Sequence, residues 1–230
     1  MFDLLLYGVW PYVAVSVAIV GGLFRYYQDR FSYSSFSSEL LEKQRLFWGS
    51  VPWHYGIILL LIGHLIGWSV PGAVAAFNGD PVRLYLLEVG AFGLGLFALF
   101  GIIALSWRRL TSPRVRAVTT RMDVVLLVLL LAQVVFGLYT AIFQRWGSWW
   151  YLSNAVPYLT SLVKLQPQIQ YAATLPFITQ LHTLNAFLLV ALFPFTRLVH
   201  IVTFPITYLG RPYQTVVWNR RKGEQREAAP

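Results

Sequence analysis

Residues 180–200 read QLHTLNAFLLVALFPFTRLVH, an apolar run long enough to cross a bilayer, with His182 near one end and His200 at the other. On a single α-helix this separation is about five turns, which would place both imidazoles on one face, about 27 Å apart. A second apolar stretch, residues 52–70, contains the other two histidines of the chain, His54 and His64. Two apolar helices with two histidines each predict two cofactors stacked across a membrane.

The composition is that of a membrane protein. Hydrophobic residues make up 57% of the 230 residues and charged residues 12%, which is about half the charged share of an average soluble domain. The absence of cysteine excludes disulfides, Cys-ligated zinc, iron–sulfur ligation and thioether-linked haem. The net charge of +9 arises mainly from loops and the tail, which is a membrane-topology pattern and not a nucleic-acid-binding face.

The apolar pattern predicts an all-α membrane protein, one domain over residues 1–230 with five transmembrane helices. The helices are expected at about 4–26, 50–70, 84–107, 122–143 and 178–202, with a kink at Pro194 and a polar tail over 211–230. Arginine and lysine concentrate after the first, third and fifth helices, so the positive-inside rule places the N-terminus outside and the C-terminus in the cytoplasm. The expected location is a bacterial or archaeal cytoplasmic membrane, with residues 144–176 lying on its outer surface.

This topology sorts the four histidines by depth, pairing His54 with His200 near the cytoplasmic face and His64 with His182 nearer the outer face. A single intramembrane histidine more often makes a hydrogen bond between helices, but here all four fall on two of five helices. The two histidines are about 15 Å apart on helix two and about 27 Å apart on helix five. A haem that binds one imidazole on each side tolerates this mismatch better than a compact metal cluster does. We therefore predict two b-type haems held between helices 2 and 5.

Other residues are candidates for supporting roles around such cofactors. Arg109 and Arg197 are candidate contacts of haem propionates. Helix three is rich in glycine, and Gly90 and Gly93 would serve either close helix packing or a flat ring lying against the backbone. Gln133 is expected to form a bridge to a neighbouring helix.

Three blocks of sequence resemble the gamma subunit of respiratory nitrate reductase, a membrane cytochrome b. They are HYGIILLLIGHLIG (54–67), RRLTSPRVRAVTT (108–120) and LFPFTRLVHIVTFPITYL (192–209), and the spacing between them also agrees. The resemblance implies a subunit that oxidises menaquinol or ubiquinol near the outer face and releases protons there. Electrons would pass through a distal and then a proximal haem to an iron–sulfur beta subunit and a molybdenum-cofactor alpha subunit, which reduces nitrate to nitrite. No nitrate chemistry would take place on this chain.

The resemblance also implies roles for individual residues. His64 and His182 would bind the distal haem, and His54 and His200 the proximal one. The family has a lysine in its quinol pocket where this chain has Arg83, which keeps the positive charge but donates hydrogen bonds in a fixed fork. Gly63 would leave space for the quinol ring, and His64 would offer its second N–H to the quinone.

Two alternatives remain open at this point. The first is a diheme cytochrome b of another quinone-linked complex, such as a hydrogenase, a formate dehydrogenase or a heterodisulfide-reductase-like assembly, because these have similar histidine patterns. The second is a haem-free transporter or structural anchor. The absence of an internal repeat and of an acidic proton relay within the helices argues against the second. The expected partner surface is the basic loop 108–121 together with the tail.

Overall fold

The computed structural model describes residues 1–28, 44–144 and 147–203. Five helices in these ranges are long and apolar enough to cross a membrane. They are α1 (Trp10–Gln28, preceded by a π-helical segment over Leu4–Val9), α2 (Gln44–Ser69), α4 (Pro81–Thr111), α6 (Arg121–Phe143) and α10 (Phe177–Leu192). Shorter helices connect or follow them: α3 (Pro71–Asn78), α5 (Pro113–Ala117), α7 (Gly147–Trp150), α8 (Val156–Val163), α9 (Gln170–Ala173) and α11 (His200–Thr203).

The outward-facing surfaces of the long helices are apolar. Large hydrophobic side chains are exposed along each of them, for example Leu23, Leu61, Phe100, Val128 and Val190. Such a surface suits lipid, and the helices satisfy their own backbone groups, which a bilayer requires. The predicted all-α architecture is thus confirmed in the described residues, with five candidate membrane-spanning helices.

Contacts at the two ends of the bundle fix the direction of the helices. At one end, Tyr7 Oη donates a hydrogen bond to Gln180 Oε1 at 2.8 Å. At the other end, Arg25 Nη1 donates to the carbonyl oxygen of Pro194 at 2.5 Å. The segments 4–28 and 177–195 therefore run side by side in the same direction. We call the end with the Tyr7–Gln180 contact, where α2 ends, the His64 end. We call the end with the Arg25–Pro194 contact, where α2 begins, the His54 end.

Glycines allow α2 and α4 to pack backbone to backbone. A Cβ added at Gly101 would lie 2.3 Å from the backbone nitrogen of Trp53, and one at Gly56 would lie 2.8 Å from that of Ala98. The two helices are antiparallel, since 53 faces 101 and 56 faces 98. Their contact belongs to a buried core shared with α6, formed by Trp53, Ala98, Ile102, Val134 and Leu138. At these positions glycine serves close packing, as expected from small residues between membrane helices.

The fifth span differs from the single helix predicted over 178–202. Helix α10 ends at Leu192, and two 3₁₀ turns follow, Phe193–Phe195 and Arg197–Val199. Between these turns Thr196 is extended, with φ −121° and ψ 178°. Pro194 explains the break, because proline lacks an N–H and its ring clashes with the preceding helical turn. His182 and His200 therefore do not share one continuous helix, and the predicted five-turn separation along it is wrong.

The segment before α10, which is predicted to lie on the outer surface of the membrane, packs against one end of the helix bundle. Residues 147–173, which we call the cap segment, contain α7, a π-helical turn (Tyr151–Ala155), α8 and α9. Its residues Tyr158, Leu162 and Ala172 are buried in a second core with Tyr7. Tyr158 Oη donates to the carbonyl oxygen of Tyr7 at 2.7 Å, and burial raises the pKa of Tyr158. The cap segment thus closes the His64 end. The predicted tail, 211–230, lies outside the described residues.

Candidate functional site

Two histidines that are far apart in sequence meet at the His54 end. The ring centroids of His54 and His200 are 6.0 Å apart, and the ring planes are inclined by 77°. His54 lies in the first half of α2, while His200 begins α11 directly after the break that follows α10. The break turns the chain so that His200 reaches the neighbouring helix. The depth pairing predicted from the sequence is therefore found as a direct contact between the two rings.

All four histidines have the same ring nitrogen engaged with a backbone carbonyl. Nδ1 lies 2.7 Å from Ser50 O in His54, 2.7 Å from Leu60 O in His64, 3.0 Å from Gln133 O in His182 and 2.6 Å from Arg197 O in His200. A carbonyl only accepts, so Nδ1 carries the proton and Nε2 carries the lone pair. This is the tautomer in which a histidine binds a metal through Nε2 and is oriented by a hydrogen bond from its other nitrogen.

The His54–His200 pair fits a single metal ion between its two rings. With metal–nitrogen bonds of about 2 Å on opposite sides, the two ring centroids would lie roughly 6 Å apart. In the part of the chain that is described, Nε2 of neither residue makes a hydrogen bond. Within the same residues, no three His, Cys, Asp or Glu side chains form a group that could hold a metal ion by themselves. A haem, whose macrocycle supplies four of six ligands, needs only such a pair.

The second pair, His64 and His182, lies nearer the His64 end. His182 lies against Gly137 of α6, where a Cβ would come within 3.1 Å of the imidazole ring. Gln133 of α6 joins this site: its side-chain Nε2 lies 3.3 Å from His182 Nε2, and its Oε1 accepts from Asn185 Nδ2 at 2.7 Å. The predicted bridge from Gln133 to a neighbouring helix is confirmed. Asn185 completes the link from α10 to α6 by also donating to Leu129 O at 3.0 Å.

Tyr151 of the cap segment covers His64. The two rings are 5.2 Å apart and almost perpendicular, and Tyr151 Oη donates to the backbone oxygen of His64 at 2.9 Å. The tyrosine ring also lies on Gly67, where a Cβ would come within 2.9 Å of it. Sequence reasoning missed this contact, because residues 149–151 have the composition of an interfacial aromatic anchor and nothing in that pattern indicates a partner.

Further along the same two helices the glycines are not packed. Gly63 lies seven residues, about two turns, beyond Gly56 on α2 and therefore on the same face. A Cβ at Gly63, at Gly90 or at Gly93 would find no atom within 4 Å, and all three residues are exposed. Close helix packing, one of the two roles expected for Gly90 and Gly93, is thus not found at these positions in the described residues, and space for a flat ring stays a prediction.

Arg83 lies at the His64 end, in the first turn of α4. Asp80 caps that helix by accepting from the backbone nitrogens of Val82 and Arg83, each at 3.0 Å. The guanidinium group lies over the Phe77 ring, 5.4 Å from its centroid, and its Nη2 reaches Ala76 O at 3.5 Å. Both contacts are weak, so the cation is only loosely held.

Arg109 and Arg197 are brought together at the His54 end by a carboxylate that sequence reasoning overlooked. Asp123 accepts from Arg109 Nη1 at 2.9 Å, from Arg197 Nε at 2.6 Å and from Arg197 Nη2 at 3.0 Å. Asp123 also forms a capping box with Thr120 at the start of α6. The signal available in the sequence was a threonine three residues before an acidic residue, which is typical of a helix N-terminus.

The sequence of the chain matches one protein family over most of its length. The family model of the nitrate reductase gamma subunit matches residues 3–219. The chain belongs to the nitrate reductase gamma subunit family. The nitrate reductase gamma chain of Bacillus subtilis (strain 168) is 33% identical over 222 residues, which are 94% of this chain and 98% of that protein. The respiratory nitrate reductase 1 gamma chain of Escherichia coli (strain K12) is 32% identical over 219 residues, which are 93% of this chain and 96% of that protein. The respiratory nitrate reductase 2 gamma chain of the same organism is 31% identical over 213 residues, which are 91% of this chain and 94% of that protein.

The resemblance inferred from three sequence blocks is thus confirmed. The structure joins His54 to His200, and it holds His64 against Tyr151 and His182 against Gln133. It places Arg109 and Arg197 on one carboxylate. The Nδ1–H of His64 lies against Leu60 O. The N–H that was expected to bind the quinone therefore already has a partner.

Proposed function

We propose that this chain is the quinol-oxidising membrane cytochrome b subunit of a respiratory nitrate reductase, delivering electrons through two b haems to iron–sulfur beta and molybdenum-cofactor alpha subunits that reduce nitrate to nitrite. The proposal rests mainly on the His54–His200 pair, whose rings are 6.0 Å apart, in a member of the nitrate reductase gamma family. Family membership favours this assignment over a cytochrome b of another quinone-linked complex. When bound, the two haems supply one-electron redox centres at two depths of the membrane.

In this proposal the four histidines would bind the two haems. His54 and His200 would hold the proximal haem, and His64 and His182 would hold the distal one. The Nδ1 hydrogen bonds to backbone oxygens support these roles, because they fix the ring orientation and raise the basicity of Nε2. At His182 the side-chain amide of Gln133 faces Nε2 and must turn aside when the ligand binds, while its bond to Asn185 keeps it near the site.

We place the His54 end in the cytoplasm and the His64 end, with the N-terminus, outside. The support is the positive charge from the last turn of α4 to the start of α6, a stretch that contains Arg108, Arg109, Arg114, Arg116 and Arg121. Arginine and lysine accumulate in cytoplasmic loops of membrane proteins. With this orientation the chain is a subunit of a cytoplasmic-membrane complex, and its iron–sulfur and molybdenum partners bind at the His54 end.

In this proposal quinol binds beside Gly63 at the His64 end, where the helix backbone is open. Oxidation of a quinol breaks two O–H bonds and gives up two electrons and two protons, so the pocket needs an apolar entrance, a hydrogen-bond donor and a proton exit to the outer side. Gly63 and Gly90 provide space next to the helix backbones. Arg83 is the nearby cation and supplies the donor to a ring oxygen. His64 forms part of the wall, because its Nδ1–H is already engaged.

The test uses the chain assembled with its partner subunits in membranes. Reduction with dithionite should give b-type absorption bands from two haems per chain. A reduced quinol analogue should produce the same bands, and added nitrate should reoxidise them. Membranes that contain the chain but show no b-type absorption would overturn the proposal. Haems that quinol reduces but nitrate does not reoxidise would assign the chain to another quinone-linked complex.

A further inference from the structure

Asp123 is a buried carboxylate that ties together three elements of the His54 end. Its residue surface is only 7% exposed. It accepts from Arg109 of α4, from Arg197 in the segment after α10, and from the backbone nitrogen of Thr120, which caps α6. Ion pairs that are largely shielded from solvent are screened weakly, and removing Asp123 would leave two part-buried positive charges without their counter-charge. Asp123 therefore helps to hold Arg109, Arg197 and the start of α6 in position.

Arg197 connects this carboxylate to a proposed haem ligand. Its side chain makes a two-pronged contact with Asp123, Nε to Oδ1 at 2.6 Å and Nη2 to Oδ2 at 3.0 Å. Its backbone oxygen accepts the Nδ1 proton of His200 at 2.6 Å. Arg197 lies in a 3₁₀ turn that follows the extended residue Thr196. Besides the Nδ1 proton, its carbonyl oxygen accepts the backbone N–H of His200 within this short turn. Because the turn is not part of a continuous α-helix, the anchored side chain also contributes to the position of this oxygen.

We propose that Asp123 is a positioning residue for His200, acting through Arg197, and that it keeps the reduction potential of the haem held by His54 and His200 low. This inference rests on the proposed function. A firmly held carbonyl makes the His200 ring a stronger donor to iron, which favours the ferric state. The negative charge of Asp123 offsets the two guanidinium groups beside the site and acts in the same direction. Neither effect reaches the His64–His182 pair at the other end of the bundle.

The experiment is a redox titration of the assembled complex in membranes, with the low-temperature EPR signals of its haems recorded in parallel. The haem of interest is recognised by its absence in His200→Ala. The variants are Asp123→Asn, which removes the charge at nearly constant shape, and Asp123→Glu, which restores it. The matched control is Glu88→Gln, which neutralises a part-buried carboxylate that accepts from Ser148 at the opposite end.

We expect Asp123→Asn to raise the midpoint potential of this haem and shift its EPR g values, with the other haem unchanged. Asp123→Glu should return the potential towards that of the wild type, and Glu88→Gln should leave it unchanged. Selective loss of this one haem in Asp123→Asn, with retention in Asp123→Glu, would also support the inference.

Three results would overturn the inference. The first is an unchanged potential in haem-replete Asp123→Asn. The second is an equal shift in Glu88→Gln, and the third is loss of both haems in both Asp123 variants, which would make Asp123 a general stabiliser. A wild-type complex without b-type absorption would instead overturn the proposed function, and the inference with it.

Discussion

The rings of His54 and His200 lie 6.0 Å apart at an angle of 77°, although one residue is near the start of α2 and the other follows the last long helix. Their meeting depends on the break at Pro194 and Thr196, where α10 gives way to 3₁₀ turns. After this break His200 lies against α2, so the two rings meet between elements from both halves of the chain.

Removing one axial ligand should remove one haem. We expect His200→Ala to lose about half of the b-type absorbance, because alanine offers iron no nitrogen and a b haem is held only by its ligands and contacts. The remaining haem should still be reducible by quinol, while quinol-linked nitrate reduction should stop. Haem content per chain is measured by a pyridine haemochrome assay. His182→Ala is the matched variant and should lose the other haem. Two haems and normal nitrate reduction in His200→Ala would refute the ligand assignment.

Arg83 should affect quinol oxidation without affecting haem binding. A hydrogen bond to a charged group contributes about 1.5–3 kcal/mol, so Arg83→Ala should weaken binding of a quinol-analogue inhibitor roughly 10-fold or more. Stopped-flow reduction of the haems by quinol should slow, with the haem spectrum unchanged. Arg83→Lys keeps the cation and should retain most of the rate. A normal reduction rate in Arg83→Ala would mean that the pocket lies elsewhere.

The glycines of α2 and α4 should differ in their effect on stability. A Cβ at Gly101 would meet the backbone of Trp53 at 2.3 Å, whereas one at Gly90 would meet nothing within 4 Å. Overpacking a tight contact costs about 1–3 kcal/mol, so Gly101→Ala should lower the thermal unfolding temperature in detergent. Gly90→Ala is the control and should not lower the unfolding temperature, because the added methyl group meets no atom and alanine has a higher helix propensity than glycine. Equal melting temperatures for the two variants would contradict the packing described.

The cap segment should be held by the Tyr158 hydroxyl. Tyr158→Phe leaves the Tyr7 carbonyl without its donor and should destabilise the protein by about 1–3 kcal/mol. Tyr139→Phe serves as the control, because no hydrogen bond of the Tyr139 hydroxyl is found in the described residues. Both variants are compared with the wild type by thermal unfolding in detergent. Equal stability of Tyr158→Phe and wild type would show that the hydroxyl does not anchor the cap.

The same tyrosine should make stability depend on alkaline pH. Burial raises the pKa of Tyr158, while in the unfolded chain a tyrosine ionises at about pH 10. The folded state therefore holds the proton more tightly, and its stabilisation is full below pH 10 and is lost as pH rises further. Unfolding temperatures measured from pH 8 to 11 should fall more steeply for the wild type than for Tyr158→Phe. Parallel curves would contradict this prediction.

Much of the architecture follows from the sequence alone. The five candidate spans could be predicted because hydropathy over a stretch of 20 residues is a local property that a bilayer selects directly, and the family could be predicted from three blocks of sequence. The same reasoning paired His54 with His200, since depth in a membrane follows from topology and helix rise.

Only the tertiary structure decided which side chains support these histidines. Pro194 predicts the kink in the fifth span, and the structure adds that the chain there forms two 3₁₀ turns around an extended residue. The Asp123 contact with Arg197 and the Tyr151 ring on His64 each join segments that are distant in sequence. Such contacts depend on how helix ends are capped and how closely helices pack, and neither hydropathy nor spacing carries that information. Gly56 and Gly63 lie on one face of α2, yet one is packed against α4 and the other is open. The residue type is the same at both positions, so the sequence alone does not tell which glycine is packed against a neighbouring helix.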